Sequence, residues 1–267
     1  MYIHFLDHGF YATETKNTIL KRKVKKSNSK KFKKKSLMWA IIFGVVLVGG
    51  SVTAFLTMGQ NNTPQNQQDP EQLISTLLQP IAQNASALGT TKSNITLVEF
   101  GDYQCQYCAR FHRDTKELIV NNYVNTGMIN FLFKDFVIND RPSDKLSTLA
   151  AIGSYCAAEQ GKYWPYHDEV YRNSKGENTE WVSKNSLTQF AVYAGVTDIN
   201  KFSTCLDSRK YENLVATNDN LARSIGLTST PTFILIAEGK PALKIEGAQP
   251  YSVFEGAIRQ IQTEIPS

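Results

Sequence analysis

Two cysteines separated by two residues, Cys105 and Cys108, are the side chains in this sequence best placed to do chemistry. They follow an apolar, β-branched run (95–100) and a Gly-Asp turn, and they open a helix-forming segment. A strand that turns into a helix puts the first cysteine at the helix N-terminus. Unpaired backbone N–H groups and the positive end of the helix dipole converge there. That environment favours the thiolate, the reactive form of cysteine. The second cysteine lies one turn inward, within reach of a disulfide. Cys105 therefore reads as the nucleophile and Cys108 as the resolving thiol.

Other side chains cluster around this pair. Glu99 shares a strand face with Ile95 and Leu97, so it is expected partly buried, with a raised pKa and the capacity to pass protons to or from Cys108. The alternative is a strand-end glutamate that reaches solvent. Lys134, on the following strand, could pair with Glu99. Tyr103 and Tyr107 flank the nucleophile, either offering apolar contact to a substrate chain or packing inward. His112, four residues past Cys108, reads as an ordinary helix-face residue. Half a zinc site is the rival meaning of a C-x-x-C pair, but a structural site needs about four ligands and no second close pair exists. No metal or cofactor is expected. The two remaining cysteines, Cys156 and Cys205, are left to each other. Paired, they imply an oxidising compartment; as two buried free thiols they would be small hydrophobes.

The elements that must position these groups follow from periodicity. Strands are expected at 95–100, 129–136, 232–237 and 242–245, with the turn Glu238-Gly239-Lys240 between the last two. Helices are expected at 105–122, 143–160, 163–173, 186–194, 199–207, 210–224 and 251–263. The order is a βαβ unit, an all-helical stretch over about 141–227, then ββα.

The 267 residues carry a formal net charge of +5 that is unevenly spread. Residues 1–36 hold 11 Lys/Arg against Asp7 and Glu14, which leaves 18 basic and 22 acidic residues in the remainder. The basic character therefore belongs to the tail, and a nucleic-acid partner is not expected. Residues 37–58 contain no charge; at ~1.5 Å rise they span about 33 Å, enough for a ~30 Å hydrocarbon core. Basic residues on their N-terminal side predict a cytoplasmic tail. The expected arrangement is thus a cytoplasmic tail (1–36), a single transmembrane helix (37–58), a tether with a short helix (59–90) and an extracytoplasmic domain (91–267) at the cell membrane. A secreted form is the alternative, because Val52-Thr53-Ala54 has the small residues of a cleavage site.

The E-F-x-x-Y-x-C-x-x-C junction, the helical stretch with Tyr155-Cys156-Ala157-Ala158-Glu159-Gln160-Gly161-Lys162-Tyr163-Trp164, and Thr230-Pro231-Thr232-Phe233 before a strand together resemble the DsbA-like thiol:disulfide oxidoreductases. The resemblance covers about residues 91–265. It implies a thioredoxin-like α/β fold with an inserted helical domain. It also implies a cis Pro231, with the Thr230 backbone beside Cys105 to pair with an extended substrate. Gln106-Tyr107 departs from the family's frequent Pro-first dipeptide, and Ser229 stands where many relatives have Gly. The activity implied is a membrane-anchored oxidase that introduces disulfides into reduced exported proteins and is reoxidised by a quinone-linked partner of the DsbB or vitamin K epoxide reductase type. A reductase or isomerase using the same site, or a non-catalytic binding domain, is the alternative.

Overall fold

Strand β2 (Ile95–Gly101) is an almost uninterrupted run of apolar and β-branched residues, and every one of its residues is buried. Such a strand belongs at the centre of a sheet covered on both faces. The computed structural model describes residues 70–79, 86–89 and 93–263, and in it β2 is the middle of five strands in the order β1-β3-β2-β4-β5. It pairs in parallel with β3 (Asn130–Asp135) and antiparallel with β4 (Thr232–Ala237). Strand β4 then pairs with β5 (Leu243–Glu246), and β1 (Ala87–Leu88) edges the sheet against β3.

Alternation divides β2 between two cores. Ile95 and Leu97 face Phe111, Phe233 and Phe254, under the active-site helix and α9 (Tyr251–Thr263). Val98 and Phe100 face Ile234, Ile236 and Ala222 of α8 (Glu212–Ser224). Leu77 of α1 (Pro70–Leu78) packs into this second core, so the short helix ahead of the domain docks on it.

The active-site helix runs from 106 to 124 in four pieces: α2 (Gln106–Phe111), a π-turn (His112–Lys116), α3 (Glu117–Ile119) and a second π segment (Val120–Val124). Between β3 and β4 lie α4 (Leu146–Ala158), α5 (Tyr163–Arg172), α6 (Lys184–Tyr193), α7 (Ile199–Asp207) and α8. Two of these starts carry side-chain caps. Ser183 forms a capping box with Ser186, and Asp198 accepts from the Lys201 N–H, which satisfies N–H groups a helix start leaves free. Buried polar groups hold this helical subdomain to the sheet. The Asp135 carboxylate on β3 accepts from the Tyr155 hydroxyl at 2.5 Å and from the Asn218 amide at 2.9 Å.

The described chain is thus the expected thioredoxin-like α/β core with an inserted helical subdomain, α4–α8. One part of the expectation is corrected. Among the described residues no helix is long and apolar enough to cross a membrane, and the span expected at 37–58 lies outside the described residues. A preceding transmembrane helix is not part of this fold, and single-pass localisation is not retained. The partners that depended on it, exported reduced clients met at a membrane and a quinone-linked reoxidant, lose their basis as well.

Candidate active site at the strand–helix junction

Asp102 shapes the turn between β2 and α2. Its carboxylate accepts from the Gln104 N–H at 2.8 Å, from the Ser147 hydroxyl at 2.7 Å and from the Asn139 N–H at 2.8 Å. An aspartate that bonds the backbone two residues on is the usual device for a tight turn. Here it also ties the turn to α4 through Ser147. Burial raises the Asp102 pKa to about 6 despite these bonds. The turn delivers Cys105 to the N-cap position of α2 in an extended conformation, with its carbonyl accepting from the Ala109 N–H.

Cys105 and Cys108 are both free thiols, and they are not equivalent. Cys105 retains 2 % exposure and Cys108 none, so only Cys105 offers a surface to an incoming group. Its pKa falls to about 7, chiefly through a hydrogen bond from the Cys108 thiol, which outweighs burial; contact with Thr230 and the N–H groups of Cys108 and Tyr107 lower it further. Cys108 moves the other way, its pKa raised first by burial, then by Cys105 and by the Glu99 charge. The Cys105 sulfur lies 3.4 Å from the Thr230 carbonyl oxygen. The Thr230–Pro231 peptide is cis. Its loop is tied by Gly247 N–H to the Pro231 carbonyl at 2.8 Å and by the Thr232 hydroxyl to the Ser229 carbonyl at 2.7 Å.

Beneath the cysteines, Glu99 is wholly buried. Desolvation raises its pKa well above the ordinary carboxyl range, partly offset by Lys116. Its Oε2 lies 3.2 Å from Nε2 of His112. Burial, then Lys116, depresses the His112 pKa, so a carboxylic acid and a neutral imidazole face each other. The expected pairing of Glu99 with Lys134 is corrected. Lys134 is in register with Phe100 and Glu99 with Phe133, so the two side chains project from opposite faces of the sheet. The Lys134 ammonium instead donates to the Gln79 carbonyl at 3.0 Å. His112, read from sequence as unremarkable, is Glu99's partner. The available signal was its i+4 spacing from Cys108, which puts both on one helix face.

The two tyrosines separate. Tyr103 is buried, stacks on Tyr171 at 5.0 Å and hydrogen bonds His167 at 2.7 Å; this corrects its expected contact with substrate, since its ring faces the helical subdomain. Tyr107 is 48 % exposed next to the nucleophile, with the Arg110 guanidinium 5.1 Å from its ring centre. Away from this site, Cys156 of α4 and Cys205 of α7 form a disulfide.

A cavity of about 650 Å³ lies against the π-turn, lined in part by His112, Lys116, Trp164, Asp168 and Tyr171. His112, His167 and Asp168 bring one ligand atom each within 4.8 Å of one another. Asp168, however, is already ion-paired with Lys116, whose ammonium supplies the positive charge a metal would bring. The trio does not suit a metal centre.

Comparison with known proteins places this geometry. A family model described as Thioredoxin matches residues 82–259. Disulfide bond formation protein D of Bacillus subtilis is 24% identical over 154 residues, 58% of this chain and 68% of its own length. Oxidised BdbD from Bacillus subtilis superposes with a TM-score of 0.60 at 23% identity, covering 68% of this chain and 95% of its own. Wolbachia pipientis α-DsbA1 gives 0.59 at 23% identity, covering 69% and 94%. At these identities the solved structures share the fold.

Proposed function

The chain belongs to the thioredoxin family and carries a DsbA-like thiol:disulfide oxidoreductase domain, and from that premise we propose that it works outside the cytosol as an oxidase of peptide dithiols. The observation that carries this reading is the split between the two cysteines. A thiol held near pKa 7 at the reachable position stabilises the reduced pair, and a stabilised reduced form makes the disulfide oxidising. The Cys156–Cys205 disulfide supports an oxidising compartment. The printed name of the Bacillus subtilis relative, a disulfide bond formation protein, points the same way.

In the proposed cycle a substrate thiolate attacks Cys105 Sγ of the Cys105–Cys108 disulfide. A substrate–Cys105 bond forms, the Cys105–Cys108 bond breaks, and the electron pair goes to Cys108. Glu99 supplies the proton that Cys108, buried and reluctant to remain a thiolate, takes up. A second substrate thiolate then attacks the substrate sulfur of the mixed disulfide. Its electron pair leaves on Cys105, which the helix N-terminus stabilises. The substrate departs oxidised by two electrons, and both protein thiols are reduced. Thr230 and Pro231 are proposed to align an extended substrate segment next to Cys105, with Tyr107 giving it an apolar contact.

Equilibration with glutathione buffers tests the direction. A potential near ~ −120 mV supports an oxidant, whereas one near ~ −270 mV reverses the electron flow and makes the domain a reductant.

A further inference from the structure

Cys108 and Glu99 are both fully buried, so the proton that Glu99 gives up must be replaced through some third group. Three observations define a route. Glu99 Oε2 is engaged by His112 Nε2, while Glu99 Oε1 is buried with no partner in the chain. His112 Nδ1 is likewise buried with no partner. The His112 ring also lines the 650 Å³ cavity beside Lys116, Asp168 and Tyr171. One carboxyl oxygen is therefore free for the cysteines, the other is bonded to one ring nitrogen, and the remaining ring nitrogen sits at the cavity wall.

We propose that His112 is a positioning and proton-relay residue, connecting Glu99 to solvent in the cavity, so that a proton reaches Cys108 from the side of the helix opposite the substrate. The inference rests on the role given to Glu99 above. When the Cys105–Cys108 bond breaks, Glu99 passes its proton to Cys108 Sγ. The resulting carboxylate takes a proton from His112 Nε2, and Nδ1 takes one from water or a buffer acid. A neutral imidazole suits this task because it is donor at one nitrogen and acceptor at the other. The groups facing it are Glu99 from β2, Lys116 from its own helix, and His167, Asp168 and Tyr171 from α5. Tyr171 stacks on the ring at 4.0 Å and fixes its plane. The Lys116–Asp168 pair supplies a polar wall to the cavity.

The test is single-turnover oxidation of a dithiol peptide by the oxidised full chain, followed between pH 5 and 9. His112→Ala is expected to slow the reaction at least about tenfold, within the range of a lost acid–base group. Added imidazole, entering the space left next to the cavity, is expected to restore the rate. A folded His112→Ala with unchanged rate and pH profile overturns the relay, as does a loss that imidazole leaves untouched. If that variant does not fold, His112→Gln decides. It can hydrogen bond Glu99 but cannot exchange a proton between two nitrogens, so a tenfold loss supports the relay and an unchanged rate overturns it. Glu99→Gln separates the two claims. If it slows the reaction while the folded His112 variant does not, only the relay falls. If Glu99→Gln has no effect, the role of Glu99 falls and the relay with it.

Discussion

Two pairs of cysteines in one chain meet opposite fates, and the ends of helices account for the difference. Cys105 caps the start of α2, where N–H groups and the Thr230 loop lower its pKa to about 7. Cys156 and Cys205 lie instead in the last turns of α4 and α7, at the negative ends of two helix dipoles. The Glu159 carboxylate stands 3.8 Å from the Cys205 sulfur. Anionic surroundings disfavour a thiolate at that pair, and hence its participation in exchange. The first pair is built to open and close; the second is built to stay closed.

The sharpest way to break this contrast is to remove each pair in turn. Cys105→Ser is expected to reduce exchange with a dithiol peptide to the uncatalysed background, and Cys108→Ser to accumulate the mixed disulfide, visible by mass spectrometry. Replacing Cys156 and Cys205 together by Ala should leave exchange intact while lowering unfolding free energy by about 4 kcal/mol in urea, because the bridge closes a loop between residues 49 apart. Retained stability would place that disulfide outside the fold's support.

Glu99→Gln is expected to slow exchange about 100-fold. It should also stabilise the chain increasingly as pH rises. The native carboxyl holds its proton where the unfolded one has lost it. That contribution is complete below the unfolded pKa and is lost as pH rises through the folded value; glutamine removes the loss. Alkylation of Cys105 in the reduced protein should reach half its maximal rate near pH 7 and fall about tenfold per unit below it. A midpoint near that of an ordinary thiol would erase the contrast between the pairs. The smallest effect is expected from Glu159→Gln. Its carboxylate accepts from Lys210 at 2.7 Å and Tyr211 at 2.9 Å, but these are largely solvated contacts worth about 1 kcal/mol or less, and Cys105 alkylation should not change.

Much of this was legible because it is local. The β2 pattern, the C-x-x-C at a strand–helix junction and the helical block between two strand regions all follow from short-range periodicity. Glu99 could be assigned to a buried face by counting alternate residues from Ile95. What it bonds could not, because His112 reaches it across the β2–α2 turn and its burial depends on Tyr171 and His167, about 60 residues further on. The Lys134 expectation failed for a register reason: parallel pairing set Lys134 beside Phe100, on the far face. The two-residue strand β1 and the docking of Leu77 were equally out of reach, since a pair of residues at a sheet edge has no period. Tyr103 and Tyr107 look alike in sequence, and only the position of α5 buries one and leaves the other exposed.

The π-turn at His112–Lys116 has a consequence for how this helix tolerates change in length. An i→i+5 turn is an α-helix with one residue too many, and it shifts the phase of all that follows. Downstream of it Ile119, Tyr123 and Val124 are buried, in step with Phe111 only because the extra residue is there. Deleting one position from 112–116 would give a more regular helix and a worse protein, since those three side chains would swing about 100° off the aromatic core. The irregularity is what keeps the two halves of the helix facing the same sheet, so viable length variants of this segment should come in whole turns rather than single residues.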